Sequence, residues 1–304
     1  MAAKTTADSG TRNFPEKPVV AIVGVGLIGG SFAAALKAAG RVQRVLGVGR
    51  NRKSLLRAQT LGLIDEIATL EQAAEQADVI LLATPVGTML ALLKQLAPHL
   101  RPGTLVTDAG STKQNVVDAA REGLAGKAAQ FIPAHPIAGA ENTGPDAADP
   151  GLYRGRTVIL TPLDENSPSS RSAITRVWEQ CGARVISMAA DAHDTILASV
   201  SHLPHFLSSV FMWQVASAAD SDMRLTLAGS GFRDFTRIAA GSPEMWRDIF
   251  LANRSAVLAE LDDVRACLDK ARQALQDEDG QALYDILDKA ALARRFWGGR
   301  SGLT

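Results

Sequence analysis

Cysteine is nearly absent from this chain of 304 residues: only Cys181 and Cys267 occur, far apart and without metal-type spacing. That excludes a disulfide framework and fits a reducing, cytoplasmic compartment. An excess of either charge is also missing, because 32 Lys and Arg balance 32 Asp and Glu. A neutral balance argues against nucleic acid or an anionic membrane surface as the main partner. No run of about 18 apolar residues stands out, so no membrane span is expected. Residues 1–13 are polar, lack the apolar run of a signal peptide and read as a flexible tail. Aromatics are few, at 5%, yet a hydrophobic content of 46% is enough to fill a core.

Glycine, by contrast, is placed with purpose. The stretch from Val19 to Ser31 reads as a buried strand, then Gly24-Val25-Gly26-Leu27-Ile28-Gly29, then a helical pattern. Gly24 permits a tight turn, Gly26 lets the backbone approach a pyrophosphate, and Gly29 lets the helix pack closely on the strand. The amides that open the helix then face the phosphates. A Gly-x-Gly-x-x-Gly run is weak alone and strong between a strand and a helix.

The next strand pattern ends at Gly49-Arg50-Asn51-Arg52. An NAD-binding chain usually carries an acid here, to accept from the ribose 2′-hydroxyl. Gly49 holds that place, and Arg50 and Arg52 follow. A 2′-phosphate is repelled by an acid and held by guanidinium groups. NADP is therefore the expected cofactor, with NAD as the alternative. The bland reading of the two arginines is a pair of solvated loop cations.

Strand signals near 19–24, 43–48, 78–83, 103–107, 130–134, 156–160 and 183–187 alternate with helical signals near 28–39, 53–60, 86–97, 112–123 and 169–180. This predicts a Rossmann-type, doubly wound, mostly parallel α/β sheet over residues 14–188. The Gly-, Pro- and Asp-rich stretch from Gly139 to Arg156 reads as an ordered excursion over a site. After Ser187 the period becomes helical, with runs near 191–219, 222–240, 243–274 and 279–297. An all-α domain over 189–297 is expected, with a tail at 298–304. Its wide apolar faces, including Val200, Leu207, Val210, Phe211, Val257, Leu261 and Leu268, predict a homodimer.

Candidate chemistry gathers at the carboxyl ends of the strands. Thr84 and Pro85 follow one strand where a loop would pass the ribose and nicotinamide, or make an ordinary strand-to-helix turn. Ser111 stands where a helix N-cap would sit, with a hydroxyl that could also face the cleft. His135, at a strand end beside Gly139, is placed for proton transfer near neutrality. His193, His202 and His205 cluster further on. Pro204 makes a metal pair at His202 and His205 a poor fit, and no metal is expected. Arg233 and Arg237, four apart among aromatics, could clamp carboxylates or simply pair with nearby acids.

Taken together, the glycine run, Asp108 to Lys113, His135 to Gly139 with Glu141, Ser201-His202-Leu203-Pro204-His205, Gly231 to Ala239 and Pro243 to Asp248 resemble the prephenate/arogenate dehydrogenase family (cyclohexadienyl dehydrogenases) of tyrosine biosynthesis. The resemblance implies hydride transfer from a cyclohexadienol ring to a nicotinamide, with loss of the ring carboxylate as CO₂. By that likeness His135 takes the hydroxyl proton, and Ser111 orients His135 and touches the nicotinamide. Arg237 binds the ring carboxylate, while His205 and Arg233 border the side-chain carboxylate and His202 belongs to the same substrate-facing patch. Glu141 gates the cleft and Trp246 packs near the substrate. The family often has Lys where Arg233 stands, a change of geometry at constant charge. Another two-domain hydroxyacid or imino-acid dehydrogenase and a non-catalytic NADP-binding regulator remain as alternatives.

Overall fold

The computed structural model describes residues 14–140 and 142–301. The expected flexible tail at 1–13 and the last residues, 302–304, lie outside them, as does Glu141. The first half opens with β1 (Val19–Val23), α1 (Leu27–Ala38), β2 (Arg44–Val48), α2 (Arg52–Thr60), β3 (Glu66–Ile67), α3 (Leu70–Gln76) and β4 (Val79–Leu82). It continues with α4 (Met89–Leu96), β5 (Leu105–Asp108), α5 (Gln114–Gly123), β6 (Phe131–Ile132), β7 (Ala134–Pro136), β8 (Thr157–Leu160), α6 (Pro168–Gln180) and β9 (Arg184–Ser187).

Six strands form a parallel sheet in the order β3-β2-β1-β4-β5-β6. The order reverses between β1 and β4, which opens a crevice at their carboxyl ends. The alternation of the strands divides the core between two faces. Val20 and Ile22 pack with Phe32, Leu36 and Trp178 on one side. Ala21 and Val23 pack with Met89, Leu93 and Val116 on the other. β3 and α3 escaped the sequence pattern because one has only two residues and the other only seven.

A second sheet has the order β7-β8-β9, with β7 antiparallel to β8 and β8 parallel to β9. This corrects the expected placement of His135. The strand anticipated over 130–134 is two short strands in different sheets, and His135 lies within β7, opposite Ile159, rather than beyond a strand end. The break falls at Pro133, which has no N–H to offer a ladder.

The second half holds α7 (Ala190–Leu197), α8 (Leu203–Ala216), α9 (Ser221–Thr226), α10 (Ser230–Thr236), α11 (Pro243–Ala252), α12 (Arg254–Gln276) and α13 (Gly280–Ser301). A π-helical turn, Ala198–His202, joins α7 to α8. It stands just before Pro204, which has no N–H to give the carbonyl four residues earlier in an unbroken α-helical ladder. The expected run over 222–240 is broken into α9, α10 and a 3₁₀ turn, and that over 243–274 is broken at Asn253. α13 continues through Ser301, past the tail expected to begin at 298.

Ala190–Ala216 is 27 residues long, holds an 18-residue window of mean hydropathy 1.2, and is by length and composition the one helix among the described residues long and apolar enough to cross a membrane. The sequence pattern had shown no such run. Its interior face carries buried His193, Asp194 and His202. Exposed apolar side chains crowd the outer faces of these helices: Val200 at 69%, Trp213 at 71% and Leu268 at 61% are open. Val257, anticipated on the same face, is buried at 5%.

Candidate active site

The glycine turn is shaped by contact as much as by dihedral freedom. Gly24 has φ +97°, and a Cβ there would lie 2.5 Å from the Ala83 carbonyl oxygen. A Cβ on Gly29 would lie 2.3 Å from the Gly24 oxygen, whereas one on Gly26 would meet nothing within 4 Å. Two glycines thus close the turn and the third leaves open space above it. Gly26 is also the N-cap of α1, and no side chain caps the amides that follow, including those that flank Leu27 and Ile28. An uncapped helix start over an open glycine is a fitting cradle for a pyrophosphate. The loop after β7 is fastened beside it: Tyr153 donates to the Ile28 carbonyl at 2.6 Å, the Asp149 N–H donates to Ser31 Oγ at 2.9 Å, and Arg57 pairs with Asp146.

At the end of β2 lies a cleft of about 370 Å³ lined by Gly49, Arg50, Arg52, Leu55, Thr69 and Gln72 among others. It contains no carboxylate. Arg50 and Arg52 are exposed, and neither makes an ion pair among the described residues. Asn51 works locally, because its side chain caps α2, accepting from Lys53 N at 3.0 Å and Ser54 N at 3.2 Å. Thr84 accepts a hydrogen bond from Thr88 Oγ1 at 2.9 Å, so Thr84 and Pro85 brace the turn that follows β4.

The polar centre of the molecule is built where the sheets meet α7. Asp108, at the end of β5, is fully buried and accepts from Lys113 Nζ, Gly110 N and Ala134 N. Lys113 is buried as completely. Burial pulls its ammonium down from the usual lysine range, and Asp108 opposes that shift. The bond to Ala134 N fixes the first residue of β7 and hence the position of His135. His135 Nδ1 lies 2.8 Å from His193 Nε2, and His193 Nδ1 lies 2.8 Å from Asp194 Oδ1. Asp194 also accepts from Lys113 N at 2.8 Å and Gln114 N at 2.9 Å. Burial alone would raise the Asp194 carboxyl, but these hydrogen bonds hold it below the ordinary carboxylate range.

This corrects the expected role of Ser111 as a helix cap. α5 begins at Gln114, and its first amides are met by Asp194 from α7. Ser111 is half-buried, makes no side-chain hydrogen bond among the described residues, and turns its carbonyl toward His202. The contact to the His135 ring comes instead from His193.

His135 is 9% exposed. Burial, then Lys113, His193 and His202, holds its imidazole well below the ordinary histidine range. It is therefore neutral at neutral pH and able to accept a proton. His202 is 1% exposed. Burial first pushes it down to about 4, against an opposing pull from Asp194. Asn253, between α11 and α12, donates to the Asp194 carbonyl at 2.7 Å and lies 3.1 Å from His202 Nδ1. His205 stacks on Trp246, and Arg237 lies close enough to depress the His205 ring further after burial. Arg233 stands apart: its side chain is 78% exposed and pairs with Asp234 at 3.6 Å.

A run of contacts thus links His135 through His193, Asp194 and Asn253 to His202, which meets the Ser111 carbonyl and the edge of Trp246, and Trp246 carries His205 with Arg237 near it; Arg233 has no part in this run among the described residues. His193 was legible only as a member of a histidine cluster. Asp194, Asn253 and the buried Asp108–Lys113 pair were not singled out. Their only sequence signal is polarity at positions of apolar period, such as His193-Asp194 on the interior face of α7.

Comparison with known proteins agrees with this layout. Residues 32–187 match the family model for the prephenate dehydrogenase nucleotide-binding domain, and residues 189–289 match that for the prephenate dehydrogenase dimerization domain. A cyclohexadienyl dehydrogenase of Zymomonas mobilis is 36% identical over 90% of this chain and 94% of its own length. The crystal structure of prephenate dehydrogenase from A. aeolicus, in complex with hydroxyphenyl propionate and NAD+, has a TM-score of 0.85 and 33% identity, covering 95% of this chain and 99% of that one. Synechocystis arogenate dehydrogenase has a TM-score of 0.78 and 30% identity, covering 92% and 99%. With both halves of the chain matched, the protein belongs to the prephenate dehydrogenase family of oxidoreductases.

Proposed function

We propose that this enzyme oxidises and decarboxylates prephenate, arogenate or both, in tyrosine biosynthesis, with His135 as the general base. The observation that carries the reading is a neutral, buried His135, linked through His193, Asp194, Asn253 and His202 to an aromatic and cationic group made by Trp246, His205 and Arg237. A bound nicotinamide supplies the hydride acceptor. The protein takes the proton from the ring hydroxyl at His135 Nε2, while Arg237 holds the ring carboxylate until it leaves as CO₂. Aromatisation drives the reaction, so the side chains need only position the ring and accept one proton. Trp246 and His205 border the ring and the side-chain carboxylate. His202 backs this wall, and Ser111 would touch the nicotinamide.

NADP is the favoured cofactor, supported by Gly49, the acid-free cleft and the exposed Arg50 and Arg52. The exposed apolar faces of α8 and α12 support a homodimer through the helical half. Two free cysteines, one buried and one exposed, fit a cytoplasmic setting.

A four-way assay of both substrates with both cofactors tests the function. Turnover with at least one substrate, faster with NADP, is expected. Cofactor binding without turnover of either substrate would overturn it.

A further inference from the structure

The chain of contacts from Asp194 through His193 to His135 has a direction, and that direction decides which nitrogen of His135 is bare. Asp194 accepts N–H groups from Lys113, Gln114 and His193. An ionised carboxylate has no proton to donate. The proton in the His193–Asp194 contact therefore belongs to His193 Nδ1. The charge on Asp194 is already met by two amides at the N-terminus of α5, so a neutral His193 completes the arrangement. A neutral His193 protonated at Nδ1 has a bare Nε2, which is only an acceptor. The group 2.8 Å from that Nε2 is His135 Nδ1, which must then donate.

We propose that His193 and Asp194 are positioning residues that hold the proton of His135 on Nδ1 and leave Nε2 as the bare nitrogen facing the cleft. This rests on the reading of His135 as the base and adds what makes it one. His135 Nε2 has no hydrogen-bond partner among the described residues, yet it is not among the sealed, unpartnered atoms, as His202 Nε2 is. The residue as a whole is 9% exposed. With the opposite tautomer, a hydrogen would face the substrate hydroxyl and no proton could be taken. When His135 becomes an imidazolium, its Nδ1–H remains bonded to His193 Nε2, so the charge forms without rearrangement. The ring planes lie at 62° with centroids 5.1 Å apart, which places the two nitrogens edge to edge.

The surroundings reinforce the order. Asp194 is held from three sides, by α5, by His193 and, through its carbonyl, by Asn253. Asn253 Nδ2 also reaches His202 Nδ1, so the neighbouring imidazole is an acceptor there and carries its own proton on Nε2. Lys113, paired with Asp108, adds a buried positive charge that opposes protonation of the resting His135.

The test begins with the wild-type protein labelled with nitrogen-15 at histidine. His135, assigned by comparison with His135→Asn, should show a protonated Nδ1 and a bare Nε2 at neutral pH. A proton on Nε2 would overturn the proposal, and so would a cationic His193, which reverses the chain. His193→Phe removes the acceptor while keeping ring volume. It should shift His135 toward the other tautomer and lower kcat on the order of 10²–10³-fold, within the range of general-base assistance. KM for substrate and cofactor affinity by fluorescence titration should stay within about threefold, and His193→Gln, which offers an amide oxygen to His135 Nδ1, should recover much of the loss. A His193→Phe protein with normal kcat contradicts the proposal. Should it fail to fold, the wild-type tautomer still decides. Normal turnover in His135→Asn would instead remove the base assignment itself, whatever tautomer the wild type shows.

Discussion

His205 lies nearly flat on Trp246, with ring centroids 3.7 Å apart and planes at 25°. The stack joins α8 to α11, and Phe250 continues it at 5.4 Å from the indole. Gly241 is fitted to the same ring: a Cβ there would come within 2.5 Å of Trp246 Nε1. The wall proposed to hold the substrate is therefore preassembled from aromatic planes.

Removing that wall should weaken substrate binding more than chemistry. Trp246→Ala is expected to raise KM about tenfold, or ~1.4 kcal/mol, which lies within the range of an aromatic pair. kcat should fall less than KM rises. Steady-state kinetics decide this, and an unchanged KM would place the substrate elsewhere.

Arg237→Gln should act in the same sense and more strongly. Loss of a charged contact to a carboxylate costs ~2–4 kcal/mol, or about 30- to 1000-fold in apparent substrate affinity. Cofactor affinity, measured by fluorescence titration, should not move. If substrate affinity is retained, the carboxylate is held by other groups.

How much of this was legible beforehand depended on the length and period of each signal. The strand, glycine turn and helix from Val19 to Ala38 were plain, because a buried parallel strand and a tight turn leave few sequence choices. β3 and α3 were too short to show a period. Single residues of the candidate site could be picked out one at a time, as His135 was. The site was not legible where buried partners come from distant segments: His193 meets His135 across 58 residues, and Asp194 meets Lys113 across 81. Nor could sequence tell that Ser111 would be relieved of capping by a carboxylate from another helix.

Buried neutral histidines tie stability to pH. His202 is held down to about 4 by burial, whereas an unfolded chain's histidine titrates near 6.5. The unfolded state therefore binds more protons in this window. The contribution, ~3 kcal/mol, is complete above about pH 6.5 and is lost as pH falls toward 4. Asp194, which is held low, loses its own contribution only at more acid pH. Urea unfolding between about pH 7 and 4.5 should show falling stability, with a shallower slope in His202→Gln. Constant stability across that range would contradict the burial argument.

Cofactor choice should move with two residues. Gly49→Asp with Arg50→Ile places an acid by the ribose and removes a guanidinium, so the ratio of NADP to NAD affinity should fall at least tenfold. The Gly49 position accepts the change, since an added Cβ would meet only Leu55 side-chain atoms at 3.5 Å and beyond. Equilibrium binding of each dinucleotide reads this directly. A wild-type protein that already prefers NAD would refute the role given to Arg50 and Arg52.

The central claim is that His135 takes the substrate's proton. Its most direct test is the turnover of His135→Asn with prephenate and with arogenate, beside cofactor and substrate affinities measured at equilibrium. The account predicts a loss in kcat on the order of 10²–10⁴-fold with affinities nearly unchanged. Near-normal kcat with both substrates would contradict it.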